Sequence, residues 1–139
     1  MNLRQIMQKE LVTAQPTSSV QEVARKMKEH NVGSVLIVDE GWKLKGILTD
    51  RDIALAIGTE SKQTSSTWAS DIMTQDPLTA ESEADFDSAL RIMSKGQVRR
   101  LPVTENGKLV GIVSAADVAC AFKEQFNQFI GLEEAYTRH

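Results

Sequence analysis

Cysteine and histidine are scarce in this chain, with Cys120 the single cysteine and His30 and His139 the two histidines. A lone cysteine excludes an intramolecular disulfide. Its place in the apolar run Val118-Ala-Cys-Ala-Phe122 points to an inert, buried thiol. A Cys/His zinc site, and a Cys–His or Ser–His catalytic pair, lack the residues to build them. No apolar run approaches the roughly 18 residues of a membrane span. The N-terminus lacks the charged-then-apolar pattern of a signal segment. There is no phosphate-cradling glycine loop. A reducing cytoplasm is the expected setting, with no membrane contact and no metal.

Positive charge is also short. The net charge is −3, which argues against non-specific binding of nucleic acid. Residues 1–66 carry nine Lys/Arg and eight Asp/Glu, whereas residues 67–139 carry seven and eleven. The acidic half nevertheless holds the only adjacent arginines, Arg99-Arg100. At 139 residues one domain of 15.4 kDa is expected, large enough for a core without staples.

What the chain does have is a repeat. Gly46-Ile-Leu-Thr-Asp-Arg-Asp52 recurs as Gly111-Ile-Val-Ser-Ala-Ala-Asp117, and an apolar helical run follows each. Each copy therefore reads as a strand end running into a helix start. Thr49 and Ser114 stand three residues before Asp52 and Asp117, the spacing of a capping box with Asp in place of Glu. In one reading hydroxyl and carboxylate simply satisfy free N–H groups of the first turn. In the other, the positive helix end attracts an anion and the carboxylate accepts from a ribose diol.

The rest of the chain repeats in step. Glu10–Ala14 reads as a short strand stopped near Pro16, and Ser19 with Glu22 three later marks a helix start. Val20, Val23, Ala24 and Met27 form one helical face, answered by Phe86, Ala89, Leu90 and Met93. This helix should fade at His30-Asn31. Val32–Val38 is almost continuously apolar, as in a strand buried on both faces. Leu78-Thr-Ala80 matches Val12-Thr-Ala14, and Ile72-Met73 stands 66 residues after Ile6-Met7. The interval shortens to 65 residues at Gly111, so the first repeat has one extra residue in its hairpin turn. Asn106-Gly107 is a two-residue hairpin signal. Each unit reads strand, helix, strand, strand, helix, and two such units packed sheet to sheet would bury the face that neither can bury alone. The expected division is a first repeat over 1–57, a polar Ser/Thr-rich linker over 58–67, a second repeat over 68–123 and a C-terminal helical extension over 124–139. In the extension Phe122, Phe126, Phe129 and Ile130 continue an apolar stripe until Gly131. It either folds back on the domain or forms an exposed patch for a homo-oligomer contact.

The paired Gly-x-x-(Ser/Thr)-x-x-Asp endings, the Ile-Met openings, His30-Asn-Val-Gly-Ser34 and Gln97-Val-Arg-Arg-Leu-Pro-Val103 together resemble the tandem cystathionine-β-synthase (CBS) domain pair, or Bateman module, of the short stand-alone type. The resemblance covers residues 1 to about 123. It implies an α+β fold, a pseudo-twofold disc of two β-α-β-β-α repeats packed through their sheets. It further implies two clefts that bind AMP, ADP, ATP or S-adenosylmethionine, with no required cofactor. Asp52 and Asp117 would hold ribose hydroxyls, and Thr49 and Ser114 would reach ribose or phosphate. Each cleft would join the Asp of one repeat to the early strand of the other: Val12, Thr13 and Ala14 with Asp117, and Leu78, Thr79 and Ala80 with Asp52. Arg99 and Arg100 stand where the first repeat has Gly33 and Ser34. Guanidinium groups match phosphate, so phosphate capture is expected mainly in the Asp117 cleft. Arg51, opposite Ala116 in the repeat, is either a further phosphate contact or a surface residue at a helix start. No residue set performs chemistry. The expected function is a ligand-sensing regulatory module, not an enzyme, acting as a homodimer on a protein partner that the sequence does not identify. The alternative is a structural or partner-binding protein with vestigial clefts.

Overall fold

Two small sheets face each other at the centre, each backed by helices. The computed structural model describes residues 1–137; His139 and the end of the 124–139 extension lie outside the described residues. The elements run α1 (Leu3–Ile6), β1 (Thr13–Ala14), α2 (Val20–His30), β2 (Ser34–Val38), β3 (Leu44–Thr49), α3 (Asp50–Glu60), α4 (Ala69–Ile72), β4 (Thr74–Gln75), β5 (Ala80–Glu81), α5 (Phe86–Gly96), β6 (Arg100–Glu105), β7 (Lys108–Ser114) and α6 (Ala115–Thr137). The first sheet has the order β1-β2-β3-β4 and the second β5-β6-β7. In each repeat a parallel pair brackets the first helix and an antiparallel hairpin follows.

Local chemistry explains the boundaries. Ser19 Oγ accepts from Glu22 N at 3.1 Å and starts α2; Asn31, at φ 52°, ends it in the left-handed conformation. Asp85 caps α5 through Ser88 N, and Gln97 ends it at φ 54°. Asn106 and Gly107, at φ 54° and 79°, make the tight turn between β6 and β7. Trp42, at φ 63°, closes the longer turn of the first hairpin. Both hairpins carry a bulge at the equivalent place, beside Ile37/Val38 and Val103/Thr104. The bulge changes the alternation, so that Leu44 and Ile47, and likewise Leu109 and Ile112, share one face.

That face is where the repeats meet. Leu36 and Val38 of β2 pack with Leu109 of β7, joined by Leu11, Leu44, Ile47 and Ile112. Val35 and Ile37 point the other way, into the core under α2. β2 is therefore buried on both sides, as its apolar run predicts.

The short leading segments trade places. Leu3, Ile6 and Met7 pack in the core of Phe86, Met93, Leu101 and Val113, whereas Ala69, Ile72 and Met73 pack with Val20, Val35, Ile37 and Leu48. Matching backbone bonds hold both, Leu3 N to Ala84 O at 2.9 Å and Ala69 N to Ser18 O at 2.8 Å. Arg4 adds an ion pair to Glu105, and both bond the buried Ser82. The exchanged segments then cross the hairpins, Gln8 on Ile112 and Thr74 on Ile47.

Three expectations are corrected. The helix that follows Thr49 passes the expected linker start at 58 and runs on to Glu60, because Gly58 and Thr59 stay helical and Ser61 supplies the left-handed end. The stripe does not stop at Gly131: α6 is one helix through Thr137, with Phe122, Phe126, Phe129 and Leu132 each more than half exposed. Cys120 is exposed rather than buried, because the inward face of α6 is set by Val118 and Ala121.

Candidate ligand-binding site

Both strand-to-helix junctions form the reciprocal cap. Asp117 Oδ2 accepts from Ser114 N at 2.9 Å, and Asp117 N donates to Ser114 Oγ at 3.1 Å. Thr49 and Asp52 repeat the pair at 2.9 and 3.1 Å. The carboxylates thus have a structural duty, and each keeps an oxygen outside the cap. Beside Asp117 stands Gln8, whose amide reaches both carboxylate oxygens at 3.5 Å. Among the described residues Asp52 has no such side-chain neighbour, and Thr74 takes the place of Gln8.

A cleft of about 300 Å³ opens at the Asp117 junction, between Ser114, Asp117, Ile112 and Gln8 on one wall and Glu10–Val12 with Asn31–Ser34 on the other; Arg100 stands at its border. A second cleft of about 390 Å³ lies at Thr49 and Ile47, against Thr74, Asp76–Leu78 and Val98–Arg100. Both fall in the lower range of small-ligand sites. Every residue lining the second cleft has its repeat counterpart lining the first. The exchanged segments supply Gln8 and Thr74, so each cleft needs both repeats.

The predicted residues divide as follows. Val12, Ser114, Asp117 and Arg100 line the first cleft, and Thr49, Leu78, Arg99 and Arg100 the second. Thr13 and Ala14 enter the sheet and border a separate depression; Lys26 Nζ bonds Thr13 O at 2.5 Å, and Val12 O accepts from Leu36 N at 3.1 Å. These two carbonyls are therefore already engaged by the protein. Thr79 is exposed outside both clefts, and Ala80 is buried in β5. Arg51 is exposed on α3 and lines neither. Asp52 lines a neighbouring depression with Asp71, Ile72 and Met73 rather than the Thr49 cleft.

The placement of the arginines is a correction. Only Arg100 reaches the Asp117 cleft, while both Arg99 and Arg100 line the Thr49 cleft. Parallel pairing of β5 with β6 explains this, because it sets the Leu78 segment beside the start of β6 in the same repeat. The arginines travel with Leu78, not with Val12. Sequence reading also passed over Gln8, Glu10, Asp76 and Asn31. The 66-residue spacing that pairs Gln8 with Thr74 and Glu10 with Asp76 was the available signal.

Away from the clefts, Asp39 is held below the ordinary carboxylate range by the backbone N–H of Lys43, and Asp85 by that of Ser88. Among the described residues no group of three or more His, Cys, Asp or Glu side chains is placed to hold a metal ion. No described helix is long and apolar enough to cross a membrane.

This geometry is that of a paired-repeat module, and the chain belongs to the CBS-domain family. The family model of the CBS domain matches residues 3–59 and 69–124. The chain is 40% identical over 130 residues to YlbB of Bacillus subtilis, covering 93% of this chain and 86% of that one. To MK0525 of Methanopyrus kandleri it is 36% identical over 115 residues, which span 82% of this chain and 59% of the relative. Among solved structures it is similar to the CBS domain pair of MJ0100 in complex with 5′-methylthioadenosine and S-adenosyl-L-methionine, with a TM-score of 0.77 at 32% identity, covering 90% of this chain and 98% of that one. CBSX2 in complex with AMP has a TM-score of 0.77 at 27% identity, covering 88% and 96%.

Proposed function

We propose that the chain is a regulatory module that reversibly binds adenosine-containing ligands (AMP, ADP, ATP or S-adenosylmethionine) between its CBS repeats. Binding alters conformation or assembly, which a protein partner reads. The observation that carries this is the pair of clefts at equivalent places, each built by both repeats at a hydroxyl-capped helix start. Occupancy of either cleft bridges the two repeats, which is how a small ligand gains leverage on the whole fold. MJ0100 and CBSX2, similar folds solved with adenosine derivatives, support the ligand class.

In this reading the Asp117 oxygen outside the cap accepts from ribose hydroxyls, Ser114 lies beside the ribose, and Val12 and Val32 flank the base. In the second cleft Thr49 lies beside the ribose, and Leu78 and Val98 flank the base. The module catalyses no reaction and needs no resident cofactor; its setting is cytoplasmic. The test is a calorimetric titration of ligand-stripped protein with AMP, ADP, ATP, S-adenosylmethionine and NAD. Saturable binding to one of the adenosine ligands is expected, and Asp117→Ala should weaken binding in its cleft. Silence across the panel would sink the reading.

A second reading has its own observation. Phe122, Phe126, Phe129 and Leu132 project along an uncovered helix face, in the manner of a homodimer contact. A fixed assembly that sediments identically with every ligand would favour a structural protein with vestigial clefts.

A further inference from the structure

The two clefts have equivalent walls but opposite charge. The Thr49 cleft is lined by Arg99, Arg100 and Asp76; the Asp117 cleft by Glu10, Asp117 and Arg100. The difference arises where the second repeat puts two guanidinium groups at the places of Gly33 and Ser34. Their backbones are anchored, Arg99 O accepting from Ala115 N at 2.8 Å and Arg100 paired in register with Ser114. Their heads are free: among the described residues neither guanidinium makes an ion pair or a side-chain hydrogen bond. Asp76, on the same wall, holds a left-handed backbone at φ 46°.

We propose that the clefts divide ligands by charge. The Thr49 cleft takes the phosphate-bearing nucleotide, and the Asp117 cleft takes an adenosine derivative without phosphate. The proposal rests on the sensor reading above and assigns its ligands. Two unpartnered guanidiniums offer forked donors that match phosphate oxygens. A phosphate in the Asp117 cleft would instead face two carboxylates with only the shared Arg100 to offset them. An uncharged thioether or a sulfonium cation meets no such repulsion, and apolar walls for the adenine are common to both clefts. Arg100 sharpens the division: when drawn to a phosphate on the Thr49 side, it leaves the Asp117 cleft more negative.

The experiment is calorimetry on the ligand-stripped full chain with AMP and 5′-methylthioadenosine, singly and in succession, at low and high salt. Wild type should bind each at one site, and AMP-saturated protein should still bind methylthioadenosine. Arg99→Ala should weaken AMP about tenfold or more and remove much of its salt dependence, leaving methylthioadenosine within about twofold. Arg99→Lys, which keeps the charge and loses the fork, should fall between, and melting curves establish that both variants fold. Competition between the two ligands for one site, or AMP affinity unchanged in Arg99→Ala, overturns the division while leaving the sensor reading intact. A wild type that binds neither ligand overturns both.

Discussion

Gly46 is the residue on which the exchange of leading segments most directly depends. A Cβ at this position would stand 2.7 Å from Thr74 O, and would also press on the Met73 side chain. Real Cβ atoms do not approach so closely, so β4 or β3 must move. Met73 can turn aside, but a backbone oxygen cannot. At Gly111 the same contact is milder on the backbone side, with Gln8 O at 3.1 Å and a flexible Met7 side chain nearest. Overpacking of this kind costs about 1–3 kcal/mol. For a domain of this size that corresponds to a fall in melting temperature of about 4–12 °C. Gly46→Ala should therefore melt well below wild type, and Gly111→Ala should lose less. Gly58→Ala is the control of opposite sign. Its Cβ meets nothing within 4 Å, and it sits inside α3, where alanine gains up to about 1 kcal/mol. Thermal melts by circular dichroism on the three variants decide the matter. If Gly46→Ala melts with wild type, the crossing segment does not lie against the hairpin as described. Because Thr74 lines the Thr49 cleft, Gly46→Ala should also weaken the ligand bound there more than the ligand at Asp117.

Other outcomes follow from the same physics. Ser19→Ala removes the acceptor for Glu22 N and should cost about 1 kcal/mol in urea unfolding, whereas Ser19→Asp should retain most of it. Asp39 accepts from the N–H groups of Gly41 and Lys43, both at 2.9 Å, and its carboxyl is held below its ordinary 3.8. A lowered folded-state value stabilises above the unfolded value and is lost as pH falls through the folded one. The stability gap between wild type and Asp39→Asn should thus be full at neutral pH and close in acid below 3.8, read from unfolding curves across that range. On the reading that the stripe joins two copies, Phe126→Glu with Phe129→Glu should lower the sedimenting mass with the melting temperature little changed, because both rings are exposed within the chain. Loss of stability instead would mean that the stripe packs inward.

Much of the fold is written locally. Ser19 with Glu22, Asn31 after the last apolar position, Asn106-Gly107, and the twin hydroxyl–Asp junctions each act within a few residues of chain. Their geometry follows from composition and spacing, and the structure has them in place. The sheet-to-sheet packing is legible too, from the unbroken apolar run of β2. The candidate site is legible only in part. Val12, Thr49, Leu78, Ser114 and Asp117 line the clefts, whereas Thr13, Ala14 and Ala80 are drawn into the strands by parallel pairing.

What remained for the tertiary structure was the choice between equals. The two repeats present the same apolar pattern, so nothing local tells Ile6-Met7 which core to enter. Met7 and Met73 each find the other repeat's glycine, and only packing decides that. The same holds for Arg99 and Arg100: their chemistry is plain from sequence, but the cleft they serve depends on which strand start lies beside which early segment. The fate of the phenylalanine stripe is likewise decided by distance. α6 runs beyond the surface that could cover it, and the rest of the described chain leaves its aromatic face uncovered. Sequence by itself determined the strand, helix, strand, strand, helix order of each unit, the duplication and the kind of side chains available, but not the short helices α1 and α4 or the strand β4. The tertiary structure decided which copies of identical patterns meet, because such patterns compete on equal terms until long-range contacts separate them.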